Sequence, residues 1–177
     1  MDNRWSTALW QQFGATIDML ENALLACPPA NWEQPLWSDP DGYAAFWRIG
    51  FHTLKWLDLY LSGSAEGFAP PPPFTENPKQ PYTKDELRTY LAYTRKKCQT
   101  TIAALTEETA ARQIEFPWIG APISFFELML YTMRHVQEHV AQLSLFLGQN
   151  AVDEQARSKL NDALDWVPRA RSDHPGE

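Results

Sequence analysis

Two cysteines in 177 residues, Cys27 and Cys98, are too few for a disulfide framework, and neither belongs to a CxxC pair. Each falls in a helical stretch and reads as a small apolar residue of a reducing compartment. Long apolar runs are missing as well: nothing approaches the roughly 20 uncharged residues needed to span a bilayer. The opening Met1-Asp2-Asn3-Arg4-Trp5 has no apolar core of a secretory signal, so a cytoplasmic protein is expected. Basic clusters are also scarce. Lys96-Lys97 is the densest, the net charge is -7 and the pI is near 5.1. Duplex nucleic acid and anionic membrane surfaces both need a basic face, so neither is an expected partner.

What is present is ordinary for a globular chain: 44% hydrophobic and 21% charged residues, enough for one domain with a proper core and too few for two. Eight tryptophans lead a heavy aromatic set, which suits helix interfaces, apolar pockets and subunit contacts alike.

Apolar residues recur at helical spacing along most of the sequence. Trp5, Leu9, Phe13, Ile17, Leu20 and Leu24 mark a first helix over 4–27, ended by Pro28-Pro29. Ser38-Asp39-Pro40-Asp41 predicts the start of a second helix, running over about 42–61 with Ala45, Ile49, His52, Trp56 and Leu59 on one stripe and Ser62-Gly63 as its stop. Residues 63–82 contain Pro70 to Pro73 and no helical period. In polyproline geometry such a stretch reaches on the order of 60 Å, against about 30 Å for a 20-residue helix. It can therefore run back along a whole helix and make helices two and three parallel. A capping box, Thr83 with Glu86, opens a third helix predicted to continue to about 111, with Leu87, Leu91, Thr94, Cys98 and Ile102 inward. The loop 113–123 has room for a short irregular hairpin. Ser124 with Glu127 then opens a fourth helix ending at Gly148 as its C′ residue. A shorter helix over about 153–166 follows. The expected fold is all-α: a single four-helix-bundle domain over 1–168, with a long crossover between helices two and three, a short C-terminal helix, and a disordered tail over 169–177.

Three of the four histidines lie inside these helices. His135 and His139 are four residues apart, about 40° around the helix, and project to one side. They share it with Leu128, Thr132, Gln142 and Phe146, the stripe expected to face the core. Arg134 and Glu138 form their own pair on a neighbouring exposed face. His52 occupies the inward stripe of the second helix. Burying three imidazoles without partners costs desolvation three times, and a divalent ion removes that cost by accepting a lone pair from each ring. Three nitrogen ligands leave a coordination position open, the catalytic rather than the structural pattern. A buried histidine satisfied by a hydrogen bond is the plainer alternative for each ring taken alone. His174, in the polar tail, has no such role. His135-Val136-Gln137-Glu138-His139 also matches the H-x-x-E-H peptidase motif, but too little chain follows it to supply the further ligand and larger fold of those enzymes.

The pattern resembles the DinB-like (DinB/YfiT) superfamily of metal-dependent enzymes. Trp37-Ser38 preceding Phe46-Trp47-Arg48-Ile49-Gly50-Phe51-His52 is similar to that family's helix-two histidine segment. Glu127-Leu128 through Arg134-His135-Val136-Gln137-Glu138-His139-Val140-Ala141-Gln142-Leu143 is similar to its final-helix signature. Many members have another histidine where this chain has Glu138, and glycine where it has Ala141; the His135/His139 spacing is kept. The resemblance implies an up-down-down-up bundle, a divalent metal (zinc or nickel) on His52, His135 and His139, and a homodimer. It includes thiol-dependent transferases and isomerases, so a low-molecular-weight thiol cosubstrate and a small-molecule substrate come with it.

Two functions follow. One is a metal-dependent enzyme, a thiol S-transferase or hydrolase, in which the ion activates a thiol or water. Gln142 would then support a ligand or touch substrate, and Trp56 and Trp118 would wall an apolar pocket, with core packing the plainer role for each tryptophan. No catalytic acid or base is assignable, since Asp58 and Glu138 both read as solvent-facing. The other is a non-catalytic metal- or ligand-binding bundle, which a fourth protein ligand would favour; Cys98 is the one soft candidate, though packing as a small apolar residue is its plainer role.

Overall fold

The computed structural model describes residues 3–171. Four long helices carry the fold: α1 (Asn3–Ala26), α2 (Phe46–Ser62), α3 (Lys84–Ala103) and α5 (Phe125–Gln149). Between them lie the short α4 (Glu107–Ala111) and a two-residue ladder of β1 (Gln113–Ile114) with β2 (Ile123–Ser124); α6 (Glu154–Ala163) follows. The fold is all-α, with one token hairpin.

Inter-helix contacts give the directions. Lys84 at the start of α3 donates to the carbonyls of Leu25 and Cys27 at the end of α1, and Arg95 further along α3 pairs with Asp18, so α1 and α3 are antiparallel. Phe51 packs on Tyr82 just ahead of α3, while Asp58, two turns later, meets Tyr90 and Lys97, so α2 and α3 are parallel. Phe46 against Phe146, His52 against His139 and Tyr60 against Tyr131 form an antiparallel ladder between α2 and α5. The crossover between α2 and α3 lies over α3, where Phe74 stacks on Tyr90 and the Tyr82 hydroxyl accepts from the Thr75 amide. Leu20, Leu24, Leu54, Leu57, Leu87 and Leu128 are fully buried between the helices; each such side chain contributes about 1.5–3 kcal/mol relative to exposure.

Several boundaries differ from the sequence expectation. The second helix begins at Phe46 because Asp39 is occupied elsewhere. Its carboxylate accepts from the amides of Asp41 and Ala44, and Gly42 takes φ +72°, closing a turn in which Leu36 pairs with Ala44. The third helix stops at Ala103, and Thr106 with Thr109 builds a second capping box that starts α4. The final long helix passes through Gly148 to Gln149 rather than ending there. Trp5 is two-thirds exposed and does not join the α1 core stripe. Of the expected tail, the Ala170 amide donates to Gln11 and the Arg171 amide to Asp18, laying residues 169–171 against α1. Residues 172–177, with His174, lie outside the described residues.

Candidate metal centre

The centre is built by α2 and α5. Ser124 caps α5 by accepting from the Glu127 amide, and Val136, Val140, Leu143 and Leu147 bury one side of that helix in the core. That anchoring turns His135, His139 and Gln142 toward α2, where His52 sits among Ile49, Phe51 and Trp56. One donor nitrogen from each of His52, His135 and His139 lies within 4.8 Å of the others, and among the described residues no further His, Cys, Asp or Glu joins them. The ring centroids are 4.5 Å apart for His135–His139, 4.9 Å for His52–His139 and 5.5 Å for His52–His135.

Hydrogen bonding restricts the tautomers. Gln142 Oε1 is 2.8 Å from His139 Nδ1. A carbonyl oxygen only accepts, so His139 carries its proton on Nδ1 and keeps the Nε2 lone pair. Nε2 of His135 lies 3.0 Å from that lone pair, while His135 Nδ1 is buried with no partner. A proton on His135 Nε2 would make the hydrogen bond and strand a buried acceptor. A proton on Nδ1 would set two lone pairs face to face. A cation receiving both lone pairs relieves the second arrangement. Nitrogens that share one tetrahedral zinc at about 2.1 Å lie about 3.4 Å apart, so the three donors, within 4.8 Å of one another, would draw together to hold it. The donor set fits a divalent ion.

The surroundings keep His52 and His135 unprotonated. Burial, the neighbouring His139 and His135, and the Lys55 charge push His52 down to about 3 from the ordinary 6.5. Burial and His139 lower His135 to about 4. Neutral imidazole is the form that binds metal.

A cleft of about 390 Å³ opens beside the cluster, with His52 and His139 in its lining. Its walls include Trp37, Tyr43 and Phe51, the cations Arg48 and Lys55, and Glu76 from the crossover. Trp56 packs against His52 at 5.9 Å and edge-on to Trp118 at 5.2 Å; Trp118 Nε1–H donates to the Tyr60 hydroxyl. These two tryptophans therefore shape the back of the centre and are not in the cleft lining. Gln142 holds His139 through the Oε1 to Nδ1 hydrogen bond. Glu138 is exposed on the side of α5 facing α1, away from the rings, and Arg134 lies over the Tyr131 ring.

One expectation fails. Asp58 is buried, not solvent-facing: it accepts from Tyr90 and pairs with Lys97, because α2 packs on both α3 and α5 and hides more than one stripe. Cys98 packs as the small apolar residue the sequence suggested: it is fully buried in α3, its thiol pushed up by burial, and takes no part in the cluster. The cleft cations were missed; their signal was Arg48, His52 and Lys55 at i, i+4 and i+7, one face of α2.

The family model of the DinB superfamily matches residues 7–143, from the first turns of α1 to the turn after His139. The chain belongs to the DinB superfamily. Comparison with curated proteins and with solved structures finds no match. The matched span includes all three histidines and Gln142 of this DinB-superfamily chain, and no helix among the described residues is long and apolar enough to cross a membrane.

Proposed function

We propose that this protein is a divalent-metal-dependent enzyme acting on a small molecule, a thiol S-transferase or hydrolase. His52, His135 and His139 would hold the ion, zinc or nickel. The observation that carries the reading is the convergence of three donor nitrogens beside an open cleft. A bound divalent ion supplies Lewis acidity that lowers the pKa of a thiol or water at its free position. The chain's own residues do the rest. Gln142 fixes the His139 tautomer and so its metal-facing lone pair. Burial keeps His52 and His135 neutral at physiological pH. Trp56 packs against the His52 ring, and Trp118 packs edge-on to Trp56 behind it. The thiol, if one is used, comes from solution, since both cysteines are buried. A homodimer is part of the same reading, carried by family membership.

Metal analysis of protein prepared without a histidine tag is the first test; about one ion per chain is expected, and content well below that sinks the reading. Metal-loaded protein is then screened for conjugation of low-molecular-weight thiols to electrophiles and for ester and amide hydrolysis. Turnover that disappears in His135→Ala supports the enzyme; metal binding with no turnover across the screen moves the assignment to a non-catalytic binding bundle.

A further inference from the structure

Arg48 and Lys55 stand four residues before and three residues after His52, so all three share one face of α2 and line the same cleft. Each is about one helical turn from the histidine. Neither is paired with a carboxylate among the described residues. Arg48 instead lies over the Tyr43 ring at 4.3 Å. A guanidinium held over an aromatic ring still has N–H groups to offer, and a guanidinium is the side chain suited to a bidentate carboxylate. Lys55 likewise lies over the Trp56 ring at 5.6 Å, and in a chain of net charge -7 two cations beside one histidine with no carboxylate partner are not expected from composition alone. Phe51, Ile49 and Trp37 supply apolar wall between them, and the cleft volume is that of a small-molecule site.

We propose that the cleft selects a small organic acid, its carboxylate held by Arg48 and Lys55 and its apolar part lying toward His52 and His139. This rests on the metal-enzyme reading above and names the substrate class for it. Glu76, the one acidic residue in the lining, opposes the two cations and limits how tightly an anion is held. Arg48 and Lys55 are specificity residues in this account; they take no part in bond making.

The test is calorimetric titration of the metal-loaded chain with benzoate, phenylacetate and succinate, each against its neutral amide. Metal content is read first for every variant. At least one acid should bind tenfold or more tightly than its amide, and Arg48→Met or Lys55→Met should each weaken it about tenfold with metal content and melting temperature unchanged. A carboxylate bound by the ion alone would be indifferent to both substitutions, so that result overturns the proposal and leaves the metal reading standing. Acids no tighter than amides overturn it as well. Glu76→Gln, at an exposed position that carries no packing, should tighten the same acid two- to threefold; weaker or unchanged binding counts against the proposal. A wild-type chain that takes up no metal defeats the metal reading and this one with it, and the metal measurement tells that failure from the others.

Discussion

At the scale of single residues, the neutral state of His52 and His135 has a thermodynamic consequence. In the unfolded chain both rings take up protons near pH 6.5; in the folded, metal-free chain they do so near 3 and 4. Between these values the unfolded state binds more protons, so stability falls as pH falls. The metal-free melting temperature should be level above about pH 7 and decline from about pH 6.5, before carboxylates begin to titrate. His52→Asn should make the decline between pH 6.5 and 5 shallower. A wild-type melting temperature that stays flat through that interval would contradict the account. Gln142→Leu removes the acceptor that fixes His139 and should weaken metal binding about 10–100-fold, read by competition with a chromogenic chelator. The histidines were legible because helical spacing alone puts His135 and His139 on one side. Arg48 and Lys55 were not, because a charged residue on a helix usually faces water. Their meaning depends on where the loop carrying Tyr43 and the crossover carrying Glu76 fold, and no local period reports that.

At the scale of elements, glycine and the short capping side chains decide the boundaries. Gly63 ends α2 with φ +70°, and a Cβ there would also come within 2.7 Å of the Arg112 guanidinium. Gly63→Ala should cost about 1–2 kcal/mol from the left-handed backbone alone, more if Arg112 cannot swing aside. Gly148 makes the opposite case. The sequence marks it as a terminator, yet α5 runs through it and a methyl group added there would meet nothing within 4 Å. Gly148→Ala should therefore stabilise by about 0.5–1 kcal/mol, whereas a true C′ glycine would lose stability on the same change. Urea midpoints of the two variants, moving in opposite directions, check both. Capping boxes were reliable where the side chain had no rival partner, as at Thr83. Asp39 misled because the same carboxylate that caps a helix can close a turn, and the choice is made by Gly42 and the pairing of Leu36 with Ala44. Thr106 was overlooked because a break and restart of helix preserves apolar spacing.

At the scale of the whole molecule, the buried ion pairs and the histidines divide the work of holding the helices together. Asp18–Arg95 ties α1 to α3, and Asp58–Lys97 ties α3 to α2. No such pair spans α2 and α5 among the described residues; their seam is aromatic and carries the three histidines. A bound ion is therefore the polar tie across that seam, and it should stabilise the entire cooperative unit rather than a local patch. Ligand linkage sets the size: at a free metal concentration a thousandfold above the dissociation constant, the folded state gains about 4 kcal/mol. For a domain of this length, each kcal/mol moves the melting temperature by about 2–4 °C. Metal-loaded protein should accordingly melt about 8–16 °C above protein stripped with chelator. Asp58→Asn, which loosens the α2–α3 tie, should lower both curves while keeping their separation, because it leaves the α2–α5 seam intact. His135→Ala should instead bring the two curves together. Equal separation in His135→Ala and wild type would mean that the ion stabilises the protein from somewhere other than the three-histidine seam.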